Sequence, residues 1–228
     1  MTPARSGTAL VLLSGGMDSA TALYWARARS RSVVALSIEY GQRHRRELGA
    51  ARELARRAGV REHLVLRLPV GPWLRSALTD RSRTLRGTGV RGGIPPSYVP
   101  ARNTIFLAIA LGIAESRRCD RIVLGINALD YSGYPDCRPE YLRAFQRLAR
   151  LATKAGVERG AEPRVQAPLL RLSKAQIVRL GDRLGVPWER TWSCYAGGRR
   201  PCRRCDSCRL RARGFREAGR PDPLEPPG

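Results

Sequence analysis

The chain has 228 residues, enough for one full hydrophobic core, and a formal net charge of +23. No apolar run approaches the ~18 residues of a membrane span, and the first apolar run is too short for a secretory signal. A cytoplasmic protein with reduced cysteines is therefore expected, which directs its six cysteines towards metal binding or catalysis and away from disulfides. Of the 42 basic residues, only Lys154 and Lys174 are lysines. The arginines are spread over every segment, often on the outward side of helices, as at Arg52, Arg56 and Arg57. A solvated basic surface explains that distribution more simply than an RNA site, so nucleic acid is not expected as a substrate.

Thr8 to Leu13 reads as a buried strand and Asp18 to Arg29 as a helix, so Ser14-Gly15-Gly16-Met17-Asp18-Ser19 is the turn that opens the helix. Adjacent glycines permit a tight bend, and the first free N–H groups of the helix, aided by its dipole, favour an anion there. Ser14 and Ser19 add hydroxyls. Asp18 would repel a bare phosphate, which implies Mg2+ between it and the ligand. The lysine-bearing P-loop pattern is absent. A strand followed by SGGxDS instead resembles the ATP pyrophosphatases, in which this loop grips the β- and γ-phosphates. The resemblance makes Leu13, Ser14, Gly15, Gly16, Met17, Asp18, Ser19 and Ala20 the expected ATP-binding residues.

Val33 to Ile38 is a second buried strand, ending at Glu39-Tyr40-Gly41-Gln42. Arg45 to Ala58 follows as a helix with Leu48, Ala51, Leu54, Ala55 and Ala58 on one face, and His63 to Leu66 is a third strand. Residues 69–100, rich in Gly, Pro, Arg and Thr, break the rhythm and read as a lid loop. Asn103 is expected to cap a helix over Thr104 to Ser116. A fourth strand is expected over Arg121 to Ile126, then a helix from Glu140 to Ala155 with Leu142, Phe145, Leu148, Ala149 and Ala152 inward. Ser173-Lys174-Ala175-Gln176 has the form of a capping box for a helix that buries Ile177, Leu180 and Leu184. The fold class is thus α/β, an open doubly wound parallel sheet with helices on both faces, plus a small C-terminal zinc-binding unit. The expected domains are 1–190 for the α/β body, 191–217 for the cysteine unit and 218–228 for a flexible tail. Such sheets bind ligands beyond the carboxyl ends of their strands, which places Glu39, Tyr40, Asn127 and Asp130 on the binding edge.

Cys194, Cys202, Cys205 and Cys208 follow a C-x7-C-x2-C-x2-C pattern. Four thiolates this close need a neutralising cation, and one tetrahedral structural Zn2+ per chain meets that need; an iron–sulfur cluster is the competing reading. A unit of this size also needs a staple. Cys119 stands before a strand as a small core residue, and Cys137 lies in a polar turn past the fourth strand.

The chain resembles the 7-cyano-7-deazaguanine synthase family of queuosine and deazapurine biosynthesis, within the N-type ATP pyrophosphatases. The resemblance rests on LSGGMDSAT (13–21), EYGQRHRREL (39–48), VPARNTIFLAIA (99–110), DYSGYPDCRPEY (130–141), LSKAQIVRLGDRLGVPWERTWSCY (172–195) and PCRRCDSCRLRARGF (201–215). It implies an adenine nucleotide alpha hydrolase-like fold, a homodimer, and an ATP-dependent carbon–nitrogen ligase. Its substrates would be ATP, ammonia and 7-carboxy-7-deazaguanine, with an adenylated carboxylate, an amide and an adenylated amide on the way to the nitrile. Asp18, Ser19, Lys174 and Arg102 are then the expected catalytic residues. Lys174 is either a phosphate contact or an ordinary helix-terminal lysine; Arg102 either neutralises a phosphate or the substrate carboxylate, or forms a helix-entry salt bridge. Tyr134, Asp136 and Arg138 are assigned to the deazaguanine, with Cys137 a substrate contact or a covalent nucleophile. The chain departs from the family pattern at Glu39, where Asp is common, and at Ala101, where Gly is common. A tRNA-thiolating enzyme, or another of the superfamily that adenylates a different acceptor, is the alternative.

Overall fold

The computed structural model describes residues 5–42, 46–80, 82, 94–127 and 134–225. Its five strands are β1 (Thr8–Leu12), β2 (Ser32–Glu39), β3 (Glu62–Arg67), β4 (Arg121–Leu124) and β5 (Arg164–Gln166). They form one sheet in the order β3-β2-β1-β4-β5, every neighbouring pair parallel. The helices are α1 (Met17–Arg29), α2 (Arg46–Ala58), α3 (Arg102–Ser116), α4 (Pro139–Ala152), α5 (Lys154–Arg159), α6 (Lys174–Leu184) and α7 (Asp206–Ala218).

Strand residues alternate between two layers, as a sheet covered on both faces requires. Ala9, Val11, Val33, Ala35 and Val123 pack with α1, α2, α6 and α7. Leu10, Val34, Leu36, Ile38, Ile122 and Leu124 pack with α3 and α4, and Cys119 joins them as a core residue. The doubly wound α/β expectation is met. In this strand order β1 is flanked by β2 and β4, so the chain leaves β1 in opposite directions, and a crevice opens there beyond the strand ends.

Several elements differ from expectation. β5 escaped notice because three residues, ending the sheet at its edge, carry no usable alternation. β4 stops at Leu124, short of Ile126. The helix expected over 140–155 is broken at Thr153, whose hydroxyl accepts from the Gly156 N–H and starts α5. Of its expected inward residues Phe145 and Ala149 are buried, whereas Leu148 and Ala152 are exposed. Asn103 is not the cap of α3: the helix begins at Arg102 behind Ala101, which adopts φ 50°. The Asp136 carboxylate accepts the Asn103 N–H at 2.9 Å, so the cap comes from a different segment.

Asp222, within the stretch read as a flexible tail, is held by Arg211 on α7 at 2.7 Å, both side chains nearly excluded from solvent. Arg211 also donates to the Thr191 hydroxyl and the Trp188 carbonyl. In the stretch read as a lid, the Ala77 N–H donates to the Pro96 carbonyl, and Ala77 and Leu78 are buried. Residues 81 and 83–93 of that stretch, Asp130, and Tyr131 to Gly133 lie outside the described residues.

Candidate active site

The turn after β1 is organised around one hydroxyl. Ser19 Oγ accepts from the Ser14 N–H (3.2 Å), the Gly15 N–H (3.1 Å) and the Ser14 hydroxyl (3.0 Å), and donates to the Gly16 carbonyl (3.0 Å). Gly15 has φ +91°, and a Cβ there would lie 2.3 Å from the Glu47 carbonyl oxygen. The first turn of α2 therefore rests directly on the loop, which only glycine allows. Gly16 is different: its φ is −77°, and an added Cβ would meet only ordinary contacts. The chain itself does not require glycine at 16, which leaves close approach of a ligand as the physical reason for one.

Three further contacts fix the loop. The Trp192 N–H donates to the Gly15 carbonyl at 2.8 Å. The Ser37 hydroxyl donates to the Leu13 carbonyl at 2.6 Å and stands 2.8 Å from His63 Nε2. With the serine proton engaged, that ring nitrogen is the donor. On the far side, Gly125 at the end of β4 lies so close to α1 that a Cβ would be 2.7 Å from the Asp18 backbone and Ser19 Cα.

A cleft of about 260 Å³ opens above these strand ends. Leu13, Ser14, Gly16, Met17, Asp18 and Ser19 line it, together with Arg102, Asn127, Tyr134, Cys137 and Lys174. Gly15 and Ala20 stand behind the loop wall, Ala20 fully buried. Lys174 is 4% exposed and its Nζ is 2.6 Å from Asp18 Oδ2. A lysine so buried, at the start of α6 and facing a carboxylate, is not an ordinary helix-terminal lysine. Its position depends on the capping box of Ser173 and Gln176, whose two bonds are both formed. It also depends on Gly214 of α7, where a Cβ would lie 2.6 Å from Lys174 Cβ. Asp18 Oδ1 is buried without a hydrogen-bond partner, an orphan that fits a cation or a ligand proton.

Arg102 donates to the Tyr40 hydroxyl at 3.2 Å and lies 5.6 Å over the same ring. Burial works against its charge, but the phenols of Tyr40, Tyr134 and Tyr195 outweigh it and hold the guanidinium pKa above its ordinary value. The helix-entry salt bridge is not formed among the described residues, so the cation faces the cleft ready for an anion. Tyr134 bonds Ser97 through its hydroxyl at 2.7 Å and stacks on Tyr98 at 5.9 Å.

The residues assigned to the deazaguanine separate. Tyr134 and Cys137 reach the cleft, whereas Asp136 turns inward to cap α3 and Arg138 is exposed outside the described wall. Cys137 is a poor nucleophile: burial, reinforced by Asp136, pushes its thiol up to about 12. Its sulfur accepts from Asn103 Nδ2 at 3.2 Å.

Tyr40 lines the cleft, as its place on the binding edge led one to expect, and Glu47, Asn103 and Tyr195 also line it without having been singled out as site residues by sequence. Burial raises the Glu47 carboxyl to about 7, despite the opposing pull of Arg102. Glu47 lies in the EYGQRHRREL segment, but the periodicity there marks a helix face and not a cleft.

Cys194, Cys202, Cys205 and Cys208 form one cluster, their sulfurs all within 4.8 Å of one another. A tetrahedral zinc with thiolate bonds of about 2.3 Å sets the sulfurs about 3.8 Å apart, so the donor set fits. Backbone N–H groups of Ala196 and Cys202 point at Cys194 Sγ, at 3.4 and 3.3 Å. The same cluster packs on Trp192 and Ala50, and Ser207 and Leu210 of α7 reach the cleft. The four-cysteine unit is thus part of the wall of the cleft.

The family described as Queuosine biosynthesis protein QueC matches residues 8–219. A protein named 7-cyano-7-deazaguanine synthase from Synechococcus sp. (strain CC9902) is 56% identical over 216 residues, covering 94% of this chain and 95% of that protein. One of the same name from Synechococcus sp. (strain CC9311) is 54% identical over 220 residues, covering 96% of this chain and 97% of the relative. Among solved structures, NMN synthetase from Francisella tularensis is similar at 20% identity and a TM-score of 0.40, covering 80% of this chain and 63% of that one.

Proposed function

The chain belongs to the QueC family of queuosine biosynthesis proteins, and on that premise we propose how its residues carry the reaction. Its activity is that of a 7-cyano-7-deazaguanine synthase, an ATP-dependent ligase. Membership sets aside the tRNA-thiolating alternative. The proposed substrates are 7-carboxy-7-deazaguanine, ammonia and ATP.

A carboxylate does not react with ammonia because its oxygen is a poor leaving group, so that oxygen first attacks the α-phosphorus of ATP, forming the acyl adenylate as the bond from that phosphorus to pyrophosphate breaks. The loop from Ser14 to Ser19 holds the departing pyrophosphate, its N–H groups exchanging Ser19 Oγ for phosphate oxygens. Lys174 and Arg102 neutralise the phosphate charge and the acid from two sides. The orphaned Asp18 Oδ1 would hold Mg2+ accompanying ATP, which supplies charge neutralisation on the phosphates. Ammonia then displaces AMP to give the amide, and a second activation at the amide oxygen leads to the nitrile. Tyr134 and Cys137 form the wall against the deazaguanine; Asp136 acts behind them by fixing the start of α3 and hence Arg102. Positioning and charge stabilisation supply the catalysis, so no covalent nucleophile is needed.

The observation that carries this reading is the convergence of the SGGxDS loop, the partly buried Asp18–Lys174 pair and Arg102, which has no carboxylate partner among the described residues, on one cleft. A structural Zn2+, one per chain, would be held by the four clustered cysteines. The homodimer draws support from Leu148, Leu151 and Val157, all exposed along α4 and α5, and sedimentation tests it. The cytoplasmic location draws support from six free cysteines. The experiment for the function is incubation of the zinc-replete protein with the acid, ammonium, ATP and Mg2+, with mass-spectrometric detection of the nitrile. Absence of both amide and nitrile removes the reading.

A further inference from the structure

Conversion of ammonia to a nitrile nitrogen strips every proton from that nitrogen, and the proposed reaction needs a group to receive them. Among the described residues lining the cleft, the carboxylates are Asp18 and Glu47. Asp18 is engaged on both sides, Oδ2 by Lys174 at 2.6 Å and Oδ1 by the Mg2+ assigned to it above. Lys174 and Arg102 are cations, Cys137 is held as a thiol, and the phenols of Tyr40 and Tyr134 are pushed further from ionisation by burial. Glu47 remains. Its side chain makes no hydrogen bond or ion pair with any described residue, and its backbone carbonyl lies against Gly15, which packs the α2 turn that carries it directly on the loop.

Its placement relative to Arg102 gives the geometry its meaning. The two residues line the same cleft and feel each other's charge, yet no ion pair within 4.0 Å joins them. An anion and a cation left apart inside a cleft frame a space for a ligand that presents negative charge to one and N–H groups to the other. Adenylate phosphate opposite Arg102 and ammonia opposite Glu47 meet that description.

We infer that Glu47 is the proton acceptor for the ammonia nitrogen, taking its proton as the nitrogen bonds to the adenylated acyl carbon. The C–N bond forms, the bond from carbon to the adenylate oxygen breaks with its electron pair leaving on AMP, and one proton passes to the carboxylate. In the second cycle the adenylated amide loses AMP in the same way as the C≡N bond forms. Its nitrogen sheds two protons, which Glu47 accepts in turn and returns to solvent. The surrounding titratable groups are Arg102 on α3, Tyr40 after β2, Asp18 on α1, Lys174 on α6, and Cys194 and Tyr195 on the cysteine segment. A carboxylate raised by burial suits this work, because a proton acceptor is most effective when its pKa lies near the working pH.

The inference rests on the proposed synthase reaction, and the experiment separates the two. Zinc-replete wild-type, Glu47→Gln and Glu47→Asp proteins are assayed for exchange of labelled pyrophosphate into ATP with the carboxylic acid but no ammonia, and then for amide and nitrile with ammonium added. Glu47→Gln is expected to keep pyrophosphate exchange within about threefold while ammonia-dependent amide formation falls about 100-fold, the typical worth of such a proton transfer. Glu47→Asp is expected to recover part of the amide rate. The inference is overturned if Glu47→Gln makes amide at the wild-type rate, or if exchange and amide formation fall together. Wild-type protein that forms neither amide nor nitrile overturns the functional reading first, and the inference with it.

Discussion

Gly15 and Gly16 stand side by side in the loop for different reasons, and the difference is visible only at the level of single atoms. Gly15 is demanded by its φ of +91° and by α2 pressed against it; Gly16 faces the cleft with room to spare. Ala101 shows the opposite case, a residue with a Cβ held at φ 50° where α3 begins. Left-handed backbone costs a non-glycine residue about 1–2 kcal/mol, offset in part by the extra freedom glycine gains when unfolded. Ala101→Gly is therefore expected to stabilise the protein by about 0.5–1 kcal/mol in urea unfolding. Cys119 and Cys137 give a pH prediction. Burial raises their thiols from 9.0 to about 11 and about 12, so each keeps its proton in the folded state while the unfolded chain loses it. Their stabilising contribution is complete below pH 9 and is lost as pH rises through the folded values. Below that window, iodoacetamide at pH 8 should leave both unmodified in native protein and label them after unfolding, as peptide mass mapping would show.

Among elements, α6 and α7 pack on each other and act together on the site. The capping box was legible in sequence because a side-chain hydrogen bond across three residues is local. That the helix it starts would bury Lys174 against Asp18 was not, because the partner is 156 positions away. The true cap of α3 is a similar case: Asn103 has the right residue type, but Asp136 satisfies the helix from a distant segment. At the other end of α7, Arg211 and Asp222 are a buried ion pair with both side chains at 5% exposure or less. Asp222→Ala would leave the guanidinium buried and short of its countercharge, a loss of about 3 kcal/mol. Urea unfolding at pH 7 measures it, and a loss under about 1 kcal/mol would mean that Thr191 and Trp188 suffice for Arg211.

In the whole molecule, the cysteine unit and the Ser14–Ser19 loop are packed together. Trp192 links them, its N–H on the Gly15 carbonyl and its ring packed in the cysteine cluster under Arg46. Chelation of zinc should therefore do more than unravel a C-terminal appendage. Removing the metal is expected to lower the Tm by at least ~6 °C, the shift that corresponds to roughly 2–3 kcal/mol in a chain of this size. ATP affinity, read by titration calorimetry, should fall in parallel with zinc content. Unchanged ATP affinity in zinc-free folded protein would separate the two units.

Strand–helix alternation, the SGGxDS turn and the four-cysteine grouping are legible in the chain alone, because each is encoded in periodicity or short spacing within a local stretch. Tyr40 and Asn127, expected on the binding edge because parallel sheets expose the ends of their strands, line the cleft together with Tyr134 and Arg102, which only the family resemblance had pointed to. That Asp136 caps a helix, that Arg138 lies outside the described wall, and that Glu47 shares a cleft with Arg102 emerge from the packing of the folded chain. Those outcomes depend on which distant segments meet. Burial and the pairing of charges arise from that meeting, and neither is carried by any one stretch of chain.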